Sequence, residues 1–145
     1  NMDGVHITDP VSETMGAAMQ LALTDAGLQA GEIAMVSGHG TATRQGDIAE
    51  TLATQAILGV DKPMHSLKSY FGHTLGACGA LEAWLAIEMM RENRFVPTAN
   101  LQDPDPACGV LDYITGEARS IDAEFVMTNN FAFGGINTSL ILGRH

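Results

Sequence analysis

A short apolar run, Ile33-Ala34-Met35-Val36, breaks off into Gly38-His39-Gly40, and a helical pattern follows. Four apolar residues stopped by glycine read as a buried strand. Met64-His65-Ser66-Leu67 reads as a second short strand, with Lys68 at its end. Helical patterns flank both runs. Ser12 to Ala26 carries Met15, Met19, Ala22, Leu23 and Ala26 at helical spacing, with Ser12 as the expected cap and Gly27 as the stop. Further helices are expected from Gly46 to about Leu58 and from Gly76 to about Arg91. This alternation predicts an α/β fold, and in an open α/β sheet ligand groups gather just past strand ends, where His39 falls.

The third helix opens on Gly76, Ala77, Cys78, Gly79 and Ala80, small residues that let other backbone approach closely. Its apolar residues cover nearly the whole circumference, so it is expected to be largely buried. Residues 1–11 read as a loop, and Val96 to Gly109, with Pro97, Pro104 and Pro106, as an irregular connection. Phe125-Val126-Met127-Thr128 and Ser139-Leu140-Ile141-Leu142 predict two strands, joined antiparallel through Phe131 to Asn137 and its Gly134-Gly135 pair. Residues 1–145 are expected to form a single domain.

Composition excludes several functions. With 46% hydrophobic and 17% charged residues, the 145-residue chain is globular rather than disordered. A net charge of −10, with seven Lys and Arg that form no run, argues against nucleic acid and against an anionic membrane surface. No stretch approaches the roughly 18 apolar residues of a membrane span. Cys78 and Cys108 make neither metal spacing nor a disulfide framework, which fits a reducing, cytoplasmic setting. No signal-peptide pattern opens the chain, and because it begins with Asn1 rather than Met it is expected to be a fragment of a longer protein.

His39, between two glycines, has little side-chain cover nearby. It is either a neutral imidazole donating to a developing oxyanion or a loop histidine satisfied by backbone. His73, in Lys68-Ser69-Tyr70-Phe71-Gly72-His73-Thr74, is open to the same two readings. Lys68 lies among apolar and small residues, and a buried ammonium needs a carboxylate. Glu82, set among Ala80, Leu81, Ala83 and Trp84, is the natural partner. Asp47 and Glu50 read as a helix capping box rather than as acid and base. Thr41 and Thr43 alternate, which places both hydroxyls on one side of an extended segment, suited to an amide-bearing ligand arm. Phe131 and Phe133 alternate likewise. Core packing is the default for such a pair, but Gly134-Gly135 can leave the Phe133 ring mobile and its backbone N–H free as an oxyanion donor. Cys78 reads as a small buried hydrophobe rather than a nucleophile.

Three strings occur in order: Gly38-His39-Gly40-Thr41-Ala42-Thr43, then Lys68 to Thr74, then Asn129-Asn130-Phe131-Ala132-Phe133-Gly134-Gly135-Ile136-Asn137. Together they resemble the C-terminal half of the β-ketoacyl-acyl carrier protein synthases of the elongating type II class. The similarity runs from Asp3-Gly4-Val5-His6-Ile7-Thr8-Asp9-Pro10 to the Leu140-Ile141-Leu142 strand. The resemblance implies a thiolase-like α/β/α/β/α fold of two similar halves, usually dimeric, with this chain as the second half. It implies that His39 and His73 bind the malonyl thioester carbonyl and stabilise the enolate as carbon dioxide leaves. Lys68, paired with Glu82, would set the site's electrostatics. Thr41 and Thr43 would bind the phosphopantetheine arm, and Phe133 would gate the pocket and lend its N–H beside Phe131. Asp47 and Glu50 match charged positions usually kept for structure. No cofactor is implied beyond the 4′-phosphopantetheine that carries the substrates. The implied partners are acyl carrier protein, the N-terminal half with the nucleophilic cysteine, and a second subunit in a homo- or heterodimer.

The match has departures. Ala132 replaces the glycine usual between the two phenylalanines, Asn130 stands where serine is common, and Arg44-Gln45 replaces a frequent Pro-Leu pair. These point to a specialised pathway, such as polyene or secondary lipid synthesis. No basic cluster is visible to meet an acidic carrier protein. Two alternatives share the fold. A non-catalytic chain-length-factor partner would normally have lost catalytic residues that are present here. A thiolase would need a second cysteine in a Cys-x-Gly setting, which Cys108-Gly109-Val110 does not offer.

Overall fold

The computed structural model describes residues 10–144, so the loop expected at the N-terminus and the Asp3–Asp9 part of the resemblance lie outside the described residues. The first helix is α1 (Ser12–Ala26), and β1 (Ile33–Ser37) follows through a short 3-10 turn. Next come α2 (Arg44–Leu58), β2 (Pro63–His65), the one-turn α3 (Lys68–Phe71) and α4 (Cys78–Glu92). Two-residue strands β3 (Arg94–Phe95), β4 (Asp112–Tyr113) and β5 (Arg119–Ser120) precede the long hairpin of β6 (Phe125–Ala132) and β7 (Ile136–Gly143).

Five strands form one sheet in the order β4-β2-β1-β6-β7. The first three junctions are parallel, and the β6–β7 edge is antiparallel. Parallel pairing requires cover on both faces, and both faces have it. Met15, Met19 and Leu23 of α1 and Ala49 and Ala53 of α2 pack with Ile33, Val36 and Met127 on one side. Ala86, Met89 and Met90 of α4 pack with Met35 and Val126 on the other. Ile33 and Val36 share a face although strand alternation would separate them, because the β1–β6 register shifts between Ile33 and Met35.

Several expectations are corrected in detail. Ser12 is the first residue of α1 rather than its cap. The cap position is Val11, whose carbonyl takes the Thr14 hydroxyl at 2.9 Å. Lys68 opens α3 instead of ending a strand, because β2 stops at His65. The helix foreseen from Gly76 begins as a 3-10 turn over Leu75–Ala77. The hairpin strands run further than their apolar cores, so Phe131 lies in β6 opposite Asn137, and the turn shrinks to Phe133–Gly135. Helix α4 is not largely buried. Its sheet side is covered, but Trp84 is 57% exposed, and Leu75 just before the helix is 73% exposed. Ala80 and Ile87 lie open on the same helix.

The proline-rich connection is clamped onto α2. The Gly109 N–H donates to Thr51 Oγ1 at 3.0 Å, and the Val110 N–H donates to Gln55 Oε1 at 2.5 Å. Gly109 sits so close that a Cβ there would overlap the Thr51 carbonyl. Gly109→Ala is therefore expected to lower stability by about 1–3 kcal/mol, as overpacking does. An unchanged urea midpoint would show that the connection gives way freely.

Candidate active site

His39 follows the end of β1, and the loop that carries it is anchored from both sides. The Gly38 N–H donates to the His65 carbonyl at 2.8 Å, which continues the β1–β2 ladder. Ser66 Oγ donates to the Gly40 carbonyl at 2.8 Å. From α2, Glu50 turns back into the loop. Its Oε1 accepts the His39 N–H and its Oε2 the Gly40 N–H, each at 2.7 Å. The capping role expected of Glu50 is thus corrected: α2 is capped at Thr43 without a side-chain bond, and Glu50, 2% exposed, fixes the backbone of His39. Gly38 is needed for this approach, since a Cβ there would meet Glu50 Oε1 at 3.0 Å. Burial pushes the Glu50 carboxyl up to about 7, against the pull of the two N–H groups.

Asp47 is no cap either. Burial raises its pKa, and the backbone N–H groups of Ala42 and Thr41 oppose the rise. Thr41 and Thr43 do place their hydroxyls together, 2.9 Å apart. They do so not by strand alternation but because Ala42 between them takes a left-handed conformation, φ 58°.

His73 reaches the same place from the α3–α4 connection. The His39 and His73 ring centroids are 5.4 Å apart with planes at 90°. His73 Nδ1 accepts the Leu75 N–H at 3.0 Å, so the neutral ring carries its proton on Nε2. Cys78 Sγ lies 3.4 Å from the same Nδ1 and takes a bond from Thr74 Oγ1 at 3.3 Å. The Phe131 ring stands 6.2 Å from that of His39. Burial pushes the His39 imidazole down to about 4, and the charges of Lys68 and His73 push the same way, so it is neutral at pH 7.

Behind the histidines lies an ion pair. Lys68 Nζ is 2.5 Å from Glu82 Oε1, with the side chains 4% and 0% exposed. Glu82 Oε2 accepts from Asn130 Nδ2 at 2.9 Å. In front of them a cleft of about 880 Å³ opens, walled mostly by apolar surface. His39, Thr41, Thr43, Glu50, His73, Phe131 and Phe133 all line it, whereas Lys68, Glu82 and Asp47 do not. Phe133 is 68% exposed at the hairpin tip, and Phe131 is buried. Residue-type reasoning passed over Asn130, which lines the cleft, and the Cys78 contact with His73. The available signal for Asn130 was a pair of amides in an otherwise apolar strand, since a buried amide needs partners.

The fold and this site match one family of proteins. A family model described as the β-ketoacyl synthase C-terminal domain matches residues 1–102. The chain belongs to the β-ketoacyl synthase family. It is 37% identical to 3-oxoacyl-[acyl-carrier-protein] synthase 2 of Synechocystis over 99% of its own length and 35% of that protein's. Its structure matches a crystal structure of a β-ketoacyl synthase from Burkholderia phymatum with TM-score 0.98 and 63% identity, covering 100% of this chain and 36% of that one. It also matches a type II polyketide ketosynthase solved with its acyl carrier protein, with TM-score 0.93 and 31% identity, covering 100% of this chain and 36% of that one. The architecture is thus thiolase-like, and the chain spans about a third of the length of the relatives it matches. Among the described residues no helix is long and apolar enough to cross a membrane.

Glu50 titrates near 7 when folded and near 4.5 as a free side chain. The stability contributed by its protonated form is complete below about 4.5 and is lost as pH rises through about 7. Urea titrations should show wild type losing stability relative to Glu50→Gln across that window, and parallel curves would refute the assignment. Glu82→Gln strands the Lys68 ammonium under cover and should cost about 3–5 kcal/mol. The paired change of Lys68→Met with Glu82→Leu should cost much less, and equal losses would mean that the pair is not held as a unit.

Proposed function

We propose that the protein containing this chain is a β-ketoacyl-acyl carrier protein synthase, and that residues 1–145 form the C-terminal half of its catalytic unit. The observation that carries this reading is the pair of histidines at 5.4 Å, at right angles in an apolar cleft, backed by a buried Lys–Glu pair. Two imidazole N–H donors converging on one point suit an oxygen that gains negative charge. The His39 imidazole, held neutral by burial, donates without adding a full charge that would bind the malonyl carboxylate too well.

The substrate is malonyl thioester on the phosphopantetheine arm of acyl carrier protein, with the Thr41 and Thr43 hydroxyls binding the arm's amides. When the malonyl C–C bond breaks, carbon dioxide leaves and the electron pair moves into the thioester enolate. His39 and His73 stabilise that enolate oxygen. The enolate carbon attacks an acyl thioester held on a cysteine of the N-terminal half. That attack forms the new C–C bond and a tetrahedral oxyanion, which meets the Phe133 backbone N–H, and its collapse re-forms the carbonyl and expels the cysteine thiolate. Lys68 and Glu82 sit behind the histidines, off the cleft, and set their field and position. The exposed apolar face of α4 is where the missing half packs.

The reaction needs no resident cofactor in this scheme. The protein is cytoplasmic, works as a homo- or heterodimer, and serves fatty-acid or polyketide assembly, polyenes included. The presence of His39, Lys68 and His73 together favours the catalytic subunit over a chain-length-factor partner.

The test uses the full-length enzyme with malonyl-acyl carrier protein. Wild type should release carbon dioxide, and His39→Ala or His73→Ala should slow release roughly a hundredfold to a thousandfold, the usual loss for an oxyanion donor. A full-length protein that binds the carrier but releases no carbon dioxide would point to the scaffold subunit instead.

A further inference from the structure

One cation stands on the wall of the active-site cleft. Among the described residues that line it, Arg44 is the single lysine or arginine. It opens α2 directly after Thr43, and Thr41 and Thr43, with their hydroxyls together, lie on the same wall. Its side chain is 80% exposed, which puts the guanidinium in water at the mouth of the cleft. What holds it there is slight. Arg44 Nε lies 3.5 Å from Asp105 Oδ2, well beyond a good charge-assisted hydrogen bond. Asp105 is also engaged elsewhere, since its Oδ1 accepts the Ala107 N–H at 2.9 Å. A guanidinium carries five N–H donors in a flat fork, and the two terminal nitrogens of Arg44 make no hydrogen bond among the described residues. The carboxyl group on the same wall, Glu50, has both oxygens taken by the His39 and Gly40 N–H groups. The chain as a whole carries a net charge of −10, a field that repels an anionic ligand. An anion that settles at this mouth needs a local cation with open donors, and Arg44 is that group.

We propose that Arg44 receives the phosphodiester of the phosphopantetheine arm, exchanging its loose hold on Asp105 for the phosphate oxygens. The inference rests on the reading of Thr41 and Thr43 as the hydroxyls that bind the arm. That arm carries its thioester at one end and its phosphate at the other, with the amides between them. With the thioester at His39 and His73 and the amides at the two threonines, the phosphate end comes out toward the mouth, where Arg44 follows Thr43. The fork of a guanidinium meets two phosphate oxygens at once. Asp105, on the connection clamped to α2, keeps the side chain near the mouth without saturating it.

The test compares two small thioesters on the full-length enzyme, malonyl-phosphopantetheine and malonyl-pantetheine, with carbon dioxide release as the readout. They differ only in the phosphate. Wild type should show the lower KM for the phosphorylated thioester, and added salt should shrink that preference. Arg44→Gln should raise that KM roughly fivefold, the scale of a charge pair that stays partly wet. Its kcat should stay within about twofold, because the contact is the same in the ground and transition states. For malonyl-pantetheine its KM should match wild type. Asp105→Asn, which keeps the acceptor for Ala107, should lower KM for the phosphorylated thioester alone. An unchanged KM for that thioester in Arg44→Gln would overturn the inference and leave the proposed function standing. So would a rise shared by both thioesters, which would mean that Arg44 shapes the cleft, or a rise seen only with malonyl-acyl carrier protein, which would place Arg44 against the carrier's own surface. Wild-type enzyme that releases carbon dioxide from none of the three substrates would overturn both.

Discussion

An ammonium and a carboxylate, both almost cut off from water, hold the centre of this chain together. Either group alone would be costly in so apolar a place, and each is tolerated because the other is there. The contact also fixes geometry. Lys68 begins the single turn that leads to His73, and Glu82 lies one turn into the helix that packs on the sheet. Joining them sets the distance between a loop and a helix that share no strand. The second oxygen of Glu82 then reaches the hairpin through Asn130, so three separate elements are referenced to one pair of charges.

The other histidine is fixed by a different device. Glu50 does not touch the His39 ring at all. It grips the backbone beneath it, with one oxygen for each of two successive N–H groups. A carboxylate in that position works like a short piece of sheet and lets a loop end as firmly as a strand. One imidazole is held through its main chain and the other through the Leu75 N–H on its ring. Anchored by separate contacts, the two rings meet edge to face on the wall of the same cleft.

How much of this could be read in advance differed by residue. The helices and core strands were legible because their apolar spacing is a direct consequence of the faces they bury. Lys68 and Glu82 were legible as a pair because neither charge has another reason to sit among alanines and leucines. Glu50 was misread. Its spacing from Asp47 mimics a cap, and nothing local says that a carboxylate will reach eleven residues back to a strand end. The shared side of Thr41 and Thr43 was foreseen, but for the wrong reason, since Ala42 adopts a backbone that its side chain disfavours. Short strands such as β4 escaped notice because two residues carry no period. They exist only because β2 offers an edge to pair with.

The bare side of α4 has a consequence for how such a protein can be taken apart. Ala80, Trp84 and Ile87, with Leu75 just before them, make an apolar strip along a helix whose other side is already used. Apolar surface left in water adheres to whatever similar surface is nearest, other copies of itself included. In the proposed full-length synthase, a cut that frees this segment would lay that strip open to water.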